Sequence, residues 1–192
     1  AQTPQDGVVW LLPRWAPRQL RDNILSAAAS KRGAFGFRTS QVRYGEDEPR
    51  TDAQERRAEQ CSLWGGLDGQ AVEELERRVC ALIGCDVSQL EKIEVVRTLP
   101  GGFFRLHHDG KERELSLLLW LRACESGGET AFPSLGLRFK PDEGSLLLWG
   151  NSERLLHEGC EVLTGEKVVV NTWARAERVR PAQVSWRERR RQ

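Results

Sequence analysis

Apolar positions recur at helical spacing in the first half of the chain. Leu20, Ile24, Leu25 and Ala28 share one face of a segment from Pro17 to Ser30, with Pro17 suited to the first turn and Gly33 closing it. Val72, Leu75, Val79 and Ile83 do the same from about Asp68 to Ile83, and Gly84 supplies the stop. Between these helices, Gly36 to Tyr44 reads as a strand. The stretch from Gly45 to Gln60 is dense in Glu, Asp, Arg and Gln and is expected to be an exposed excursion, a candidate mobile lid.

From Lys92 the period shortens to that of strands, broken by Gly, Pro and Asp. The strand-like segments are Lys92 to Thr98, Phe103 to His107, Glu114 to Leu121, Leu137 to Lys140, Ser145 to Trp149 and Lys167 to Trp173. Helices followed by many short strands predict an α+β chain, with N-terminal helices packed on a small all-β core of jelly-roll type. A single domain is expected, with a helical support region about 1–90, a β core about 91–176 and a basic tail 177–192.

Composition narrows the function classes. With 39% hydrophobic and 30% charged residues among 192, the chain is expected to be globular and soluble rather than disordered. A formal charge of +1 gives no reason to expect nucleic acid, and the run Arg187–Arg191 reads as a solvated terminus. No segment has the ~18 apolar residues of a membrane span. No signal peptide is visible, but the chain begins without Met, so the endomembrane lumen and the cytoplasm both stay open. Five cysteines without a CxxC pair read as buried or free thiols, one disulfide being the alternative.

The candidate chemistry sits in two short segments that hold all three histidines: Arg105-Leu106-His107-His108-Asp109-Gly110 and Leu155-Leu156-His157-Glu158-Gly159-Cys160. His-x-Asp with a distant His is the ligand set of the 2-His-1-carboxylate facial triad, suited to Fe(II) with open positions. Alternate residues of a strand share a face, so His107 and Asp109 are expected to point together and His108 away. The competing reading is ordinary polar residues near a loop.

Further motifs carry a resemblance. His157-Glu158-Gly159-Cys160 is followed by Lys167 ten residues after His157, and then by Trp173. Val95 to Phe104 precedes the first histidine, and Gly127-Gly128-Glu129-Thr130-Ala131-Phe132-Pro133 lies between the two ligand segments. In this order they resemble the prolyl 4-hydroxylase branch of the Fe(II)/2-oxoglutarate dioxygenases, closely over about Glu91 to Arg175. The resemblance implies a double-stranded β-helix holding Fe(II) through His107, Asp109 and His157. It also implies 2-oxoglutarate chelating the metal with its far carboxylate on Lys167, O2 as oxidant, and ascorbate as reductant. Thr130 would add a hydroxyl near that carboxylate, Leu118 would line the same face as Ser116 and Trp120, and Trp173 would line the pocket. The expected reaction is hydroxylation of prolyl residues in a peptide or protein, releasing succinate and CO2. The alternatives are a free amino acid or other small molecule as substrate, or a silent binding or sensing module. A zinc or manganese cupin-like site would leave Lys167 unexplained. The chain departs from the family at Thr98, Phe104 and Trp120, where tyrosine is usual or common. Tyr44 is its one tyrosine, so weakened 2-oxoglutarate binding is expected.

Overall fold

The computed structural model describes residues 7–42, 48 and 50–179. In chain order the elements are β1 (Val9–Leu12), α1 (Arg18–Ser30), β2 (Arg38–Thr39), β3 (Arg56–Arg57), β4 (Glu59–Leu63), α2 (Gln70–Ile83), β5 (Ile93–Thr98), β6 (Phe103–His107), β7 (Leu115–Arg122), β8 (Ser126–Gly127), β9 (Thr130–Phe132), β10 (Leu137–Phe139), β11 (Leu146–Gly150), β12 (His157–Gly159), β13 (Val162–Thr164) and β14 (Lys167–Ala174). The strands form a seven-stranded sheet in the order β1-β11-β7-β14-β5-β4-β2, a five-stranded sheet β10-β9-β12-β6-β3, and a two-stranded ribbon β13-β8. All named pairings are antiparallel, giving a sheet-rich architecture of jelly-roll type.

The long strands are near-continuous apolar runs because both faces of the seven-stranded sheet are covered. On one face, Val96, Leu118, Trp120, Leu147, Trp149 and Val169 form a cluster with Phe132 of the five-stranded sheet and Leu155. On the other, Ile93, Val95, Leu117, Leu119, Leu146, Val168 and Val170 share a cluster with Leu20, Ile24 and Ala28 of α1 and Val72, Leu75 and Val79 of α2. Full burial of each large aliphatic side chain contributes ~1.5–3 kcal/mol. Gly84 ends α2 in the left-handed region at φ 74°, where its amide reaches the Cys80 carbonyl at 2.8 Å.

Three sequence expectations need correction. Pro17 is the N-terminal cap of α1 and the helix begins at Arg18. The strand expected from Gly36 to Tyr44 is only Arg38–Thr39, with an isolated bridge from Val42 to Arg50; Tyr44 lies outside the described residues. The C-terminal part of the expected excursion is sheet rather than loop. Arg56–Arg57 pairs with β6, and Glu59 opens β4, which lies between β2 and β5. Its apolar members, Cys61 and Leu63, fall at the end of a charged stretch and were masked by it.

The five cysteines are thiols outside any disulfide, of which Cys61 alone is fully buried. Among the described residues no helix is long and apolar enough to cross a membrane. The basic run Arg187–Arg191 lies outside the described residues.

Candidate metal and cosubstrate site

His107 ends β6 and His157 opens β12, and the two are direct cross-strand partners. Their rings therefore leave the five-stranded sheet on one face, centroids 4.3 Å apart. Asp109 is placed differently. It lies two residues beyond the end of β6, so strand alternation does not orient it. Instead Ser116 Oγ donates to its Oδ2 at 2.6 Å, and Arg113 Nη1 donates to its carbonyl oxygen at 2.6 Å. Gly110, at φ 104°, turns the chain directly after it, and Asn151 donates to the Gly110 carbonyl.

The result is a converged donor set. One ligand atom from each of His107, Asp109 and His157 lies within 4.8 Å of the others. His107 Nε2 is 3.8 Å from Asp109 Oδ1, and His157 Nε2 is 3.5 Å from Oδ2. Each Nδ1 faces a backbone carbonyl, Arg105 O at 2.7 Å and Leu155 O at 3.1 Å. A carbonyl can only accept, so the proton sits on Nδ1 and the Nε2 lone pair is left facing the carboxylate. His108 stands outside this group, and its Nδ1 accepts the Gly110 amide at 3.0 Å.

Electrostatics keeps the set in ligand form. Burial, reinforced by His157, pushes the His107 imidazolium down to about 3, so the ring is neutral near pH 7. Burial alone would raise Asp109, but His157, His107 and the Ser116 hydroxyl hold it at about 2. Two imidazole lone pairs and a carboxylate facing one point repel one another unless a cation lies between them. These N, N and O donors fit Fe(II).

Aromatic rings wall the group. Phe104 stacks on His107 at 3.5 Å between centroids, while Phe132 and Trp149 lie 5.5 and 4.9 Å from the His157 ring. The Arg56 guanidinium covers Phe104 from β3 at 4.4 Å. Burial lowers Arg56 to about 10 against the opposing pull of Glu94 and Asp109, and its Nε has no hydrogen-bond partner among the described residues.

Lys167 occupies the far end of the same interior. It opens β14 opposite Thr98, is 6% exposed, and donates from Nζ to the Gly128 carbonyl at 2.9 Å. Among the described residues it forms no ion pair, and burial pulls it down to about 8. A Cβ on Gly159 would lie 3.7 Å from that Nζ and 3.6 Å from Phe104 Cβ, so this glycine faces the ammonium. Gly159 is two residues from His157, one strand repeat of roughly 6–7 Å along the same face. Thr130 is directly opposite Gly159, buried, with a hydroxyl that has no partner among the described residues. A buried cation and an orphaned hydroxyl beyond a metal-ligand set fit the distal carboxylate of a chelating oxoacid.

Leu118 lies in the intersheet cluster. Trp173 is at the other end of β14, opposite Ser116, with the Arg113 guanidinium 3.7 Å over its ring. That places it beside the Asp109 end and remote from Lys167. Sequence reasoning did not find Arg56, Arg113 or the bond made by Ser116. The one available signal was Ser116 itself, a lone hydroxyl in the apolar run Leu115–Leu121.

A family model described as the 2OG-Fe(II) oxygenase superfamily matches residues 93–175, a span that includes His107, Asp109, His157 and Lys167. A putative prolyl 4-hydroxylase of Acanthamoeba polyphaga mimivirus is 30% identical over 148 residues, covering 65% of this chain and 60% of the viral protein. Prolyl 4-hydroxylase 1 of Arabidopsis thaliana is 31% identical over 134 residues, 54% of this chain and 47% of the plant protein. The chain therefore spans less than two thirds of the length of either relative. A crystal structure of a viral collagen prolyl hydroxylase from Paramecium Bursaria Chlorella virus-1, solved as a 2OG complex, superposes with a TM-score of 0.71 at 22% identity, covering 90% of this chain and 98% of that one. A Trichoplax adhaerens prolyl hydroxylase, bound to a hypoxia inducible factor peptide fragment, superposes with a TM-score of 0.73 at 16% identity, covering 87% and 83%. At these identities the two structures speak to the fold. Over residues 93–175 the chain is similar to the 2OG-Fe(II) oxygenase superfamily, and in motif order and sequence it is similar to prolyl 4-hydroxylases.

Proposed function

We propose that this chain hydroxylates prolyl residues in a peptide or protein, using Fe(II), 2-oxoglutarate and O2 and releasing succinate and CO2. The observation that carries the reading is the converged His107, Asp109 and His157 set sharing an interior with a buried Lys167 that forms no ion pair among the described residues. His107 Nε2, His157 Nε2 and an Asp109 oxygen would hold the metal on one side, leaving its other positions for cosubstrate and oxygen. Lys167 and Thr130 would bind the distal carboxylate, with Thr98, Leu118 and the aromatic rings excluding water around it. When bound, Fe(II) with its cosubstrate would activate O2, the oxidant, for insertion of one oxygen atom into an unactivated C–H bond. The protein's task is to orient that bond. Ascorbate would serve as reductant.

The chain is read as one catalytic domain whose β core, residues 91–176, is backed by α1 and α2, with β1 to β4 of the expected helical support, 1–90, adding strands to its two sheets. The apolar cluster shared by α1, α2 and the seven-stranded sheet supports that reading. The intact donor set and Lys167 weigh against a silent module.

The test is mass spectrometry of proline-containing peptides incubated with Fe(II) and 2-oxoglutarate, with and without O2, while succinate is quantified. Oxygen-dependent gain of one oxygen atom at proline, stoichiometric with succinate, is expected. Succinate without any peptide oxidation would overturn the peptidyl-proline substrate, and no succinate with a 2-oxoglutarate-saturated protein would overturn the oxygenase reading.

A further inference from the structure

Trp120 is the largest fully buried side chain of the intersheet core, 0% exposed, and its indole Nε1–H has no acceptor among the described residues. Buried N–H groups in folded proteins are almost always paired, so an orphan facing a ligand cavity points to the ligand. The sheet register says where this one faces. Trp120 is opposite Val169 on β14, and Lys167 lies two residues before Val169 on the same face of that strand. The ladder to β7 shifts register between Val168 and Val169, so Trp120 and Lys167 share a face without being regular diagonal partners. Phe132 belongs to the same cluster as Trp120, and Thr130, with its orphaned hydroxyl, lies two residues from Phe132 on one face of β9. Trp120, Thr130 and Lys167 therefore border the same end of the interior. The other orphaned indole, Trp149, belongs to the metal end, 4.9 Å from the His157 ring.

We infer that the Trp120 indole N–H is a hydrogen-bond donor to the distal carboxylate of 2-oxoglutarate, completing with Lys167 and Thr130 the site that selects this cosubstrate. The inference rests on the cosubstrate assignment above. Its chemistry is specific. Indole N–H and ammonium can donate but not accept, so they favour an ionised carboxylate over an amide of the same shape. The indole also supplies a donor on a wall where Thr98 and Phe104 carry no phenolic hydroxyl. Sequence reasoning counted Trp120 as a loss. The structure makes it a replacement.

The test is calorimetric titration of 2-oxoglutarate into the Mn(II)-loaded chain without oxygen, for wild type, Trp120→Phe and Trp120→Tyr. In parallel, the sequentially assigned Trp120 indole resonance of 15N-labelled wild type, loaded with diamagnetic Zn(II), is followed during the titration. A donor to a charged acceptor predicts roughly tenfold or greater weakening in Trp120→Phe, smaller weakening in Trp120→Tyr, and a downfield shift of the indole proton on saturation. An indole proton that does not move while wild type binds, or a Trp120→Phe dissociation constant within about twofold of wild type, would make Trp120 packing only. The wild-type resonance decides the matter if Trp120→Phe fails to fold. Absence of 2-oxoglutarate binding to wild type would overturn the cosubstrate assignment itself, and this inference with it.

Discussion

Ser116 Oγ and Asp109 Oδ2 are 2.6 Å apart, and this hydrogen bond from β7 orients a carboxylate that its own strand no longer controls. Ser116→Ala is expected to weaken metal binding about 10- to 100-fold, the usual effect of removing an outer-shell partner, with little change in thermal midpoint. Competition titration against a chromophoric chelator would show it. Unchanged affinity would mean that Arg113 and Gly110 hold Asp109 unaided.

Ala at His107, Asp109 or His157 should abolish metal binding and turnover while leaving the circular dichroism spectrum intact. Saturating metal should raise the wild-type midpoint, by mass action ~2.7 kcal/mol at a hundredfold excess over the dissociation constant, and should leave the variants unmoved. A variant with full activity would falsify the iron assignment.

Lys167 gives a pH dependence whose sign differs between affinity and stability. Cosubstrate binds the ammonium form, so affinity should be flat below about pH 8 and fall about tenfold per unit above it. Stability of the cosubstrate-free protein runs the other way. The folded-state value lies below that of an unfolded lysine, so the unfolded chain holds more protons between the two and stability rises with pH there. Lys167→Met should lose 2-oxoglutarate binding, flatten the affinity profile and raise the cosubstrate-free midpoint. A lowered midpoint would show that the Gly128 hydrogen bond outweighs desolvation.

Gly159 is expected to be a clearance position. A bare Cβ meets only ordinary contacts, at 3.6 and 3.7 Å, so Gly159→Ala should bind metal and cosubstrate. The branched side chain of Gly159→Val would project toward Lys167 Nζ and Phe104. It should retain metal and lose at least about tenfold in 2-oxoglutarate affinity. Equal affinities by calorimetry would remove Gly159 from the cosubstrate path.

Tyrosine at Thr98 or Phe104 should tighten 2-oxoglutarate by about two- to tenfold per hydrogen bond gained. If Trp120 already serves the carboxylate, the gain falls at the lower end. An unchanged dissociation constant would count against the account based on missing hydroxyls.

The legible parts of the sequence were those with a sustained period. Both helices and the strands β5, β6, β7, β10, β11 and β14 were read within one or two residues, because long apolar runs and alternation report burial directly. The short strands β8, β9, β12 and β13 are two or three residues long, two of them with glycine, and no period exists at that length. Their existence depends on partners far along the chain. At the site, alternation paired His107 with Asp109, yet the strand stops at His107 and a serine seven residues beyond Asp109 does the orienting. Arg56 was illegible for the opposite reason. It sits in a charged stretch whose composition suits a solvated loop, and only the pairing of β3 with β6 carries it onto Phe104.

That stack of Arg56 on Phe104 on His107 has a consequence for anyone redesigning the chain. Loops at the mouth of a barrel invite exchange, since grafting a relative's segment is a direct way to alter substrate range. Here the graft would not be modular. Replacing residues 50–57 would strip the guanidinium from Phe104 and uncover a ring that abuts a metal-ligand candidate, so substrate range and metal affinity would change together.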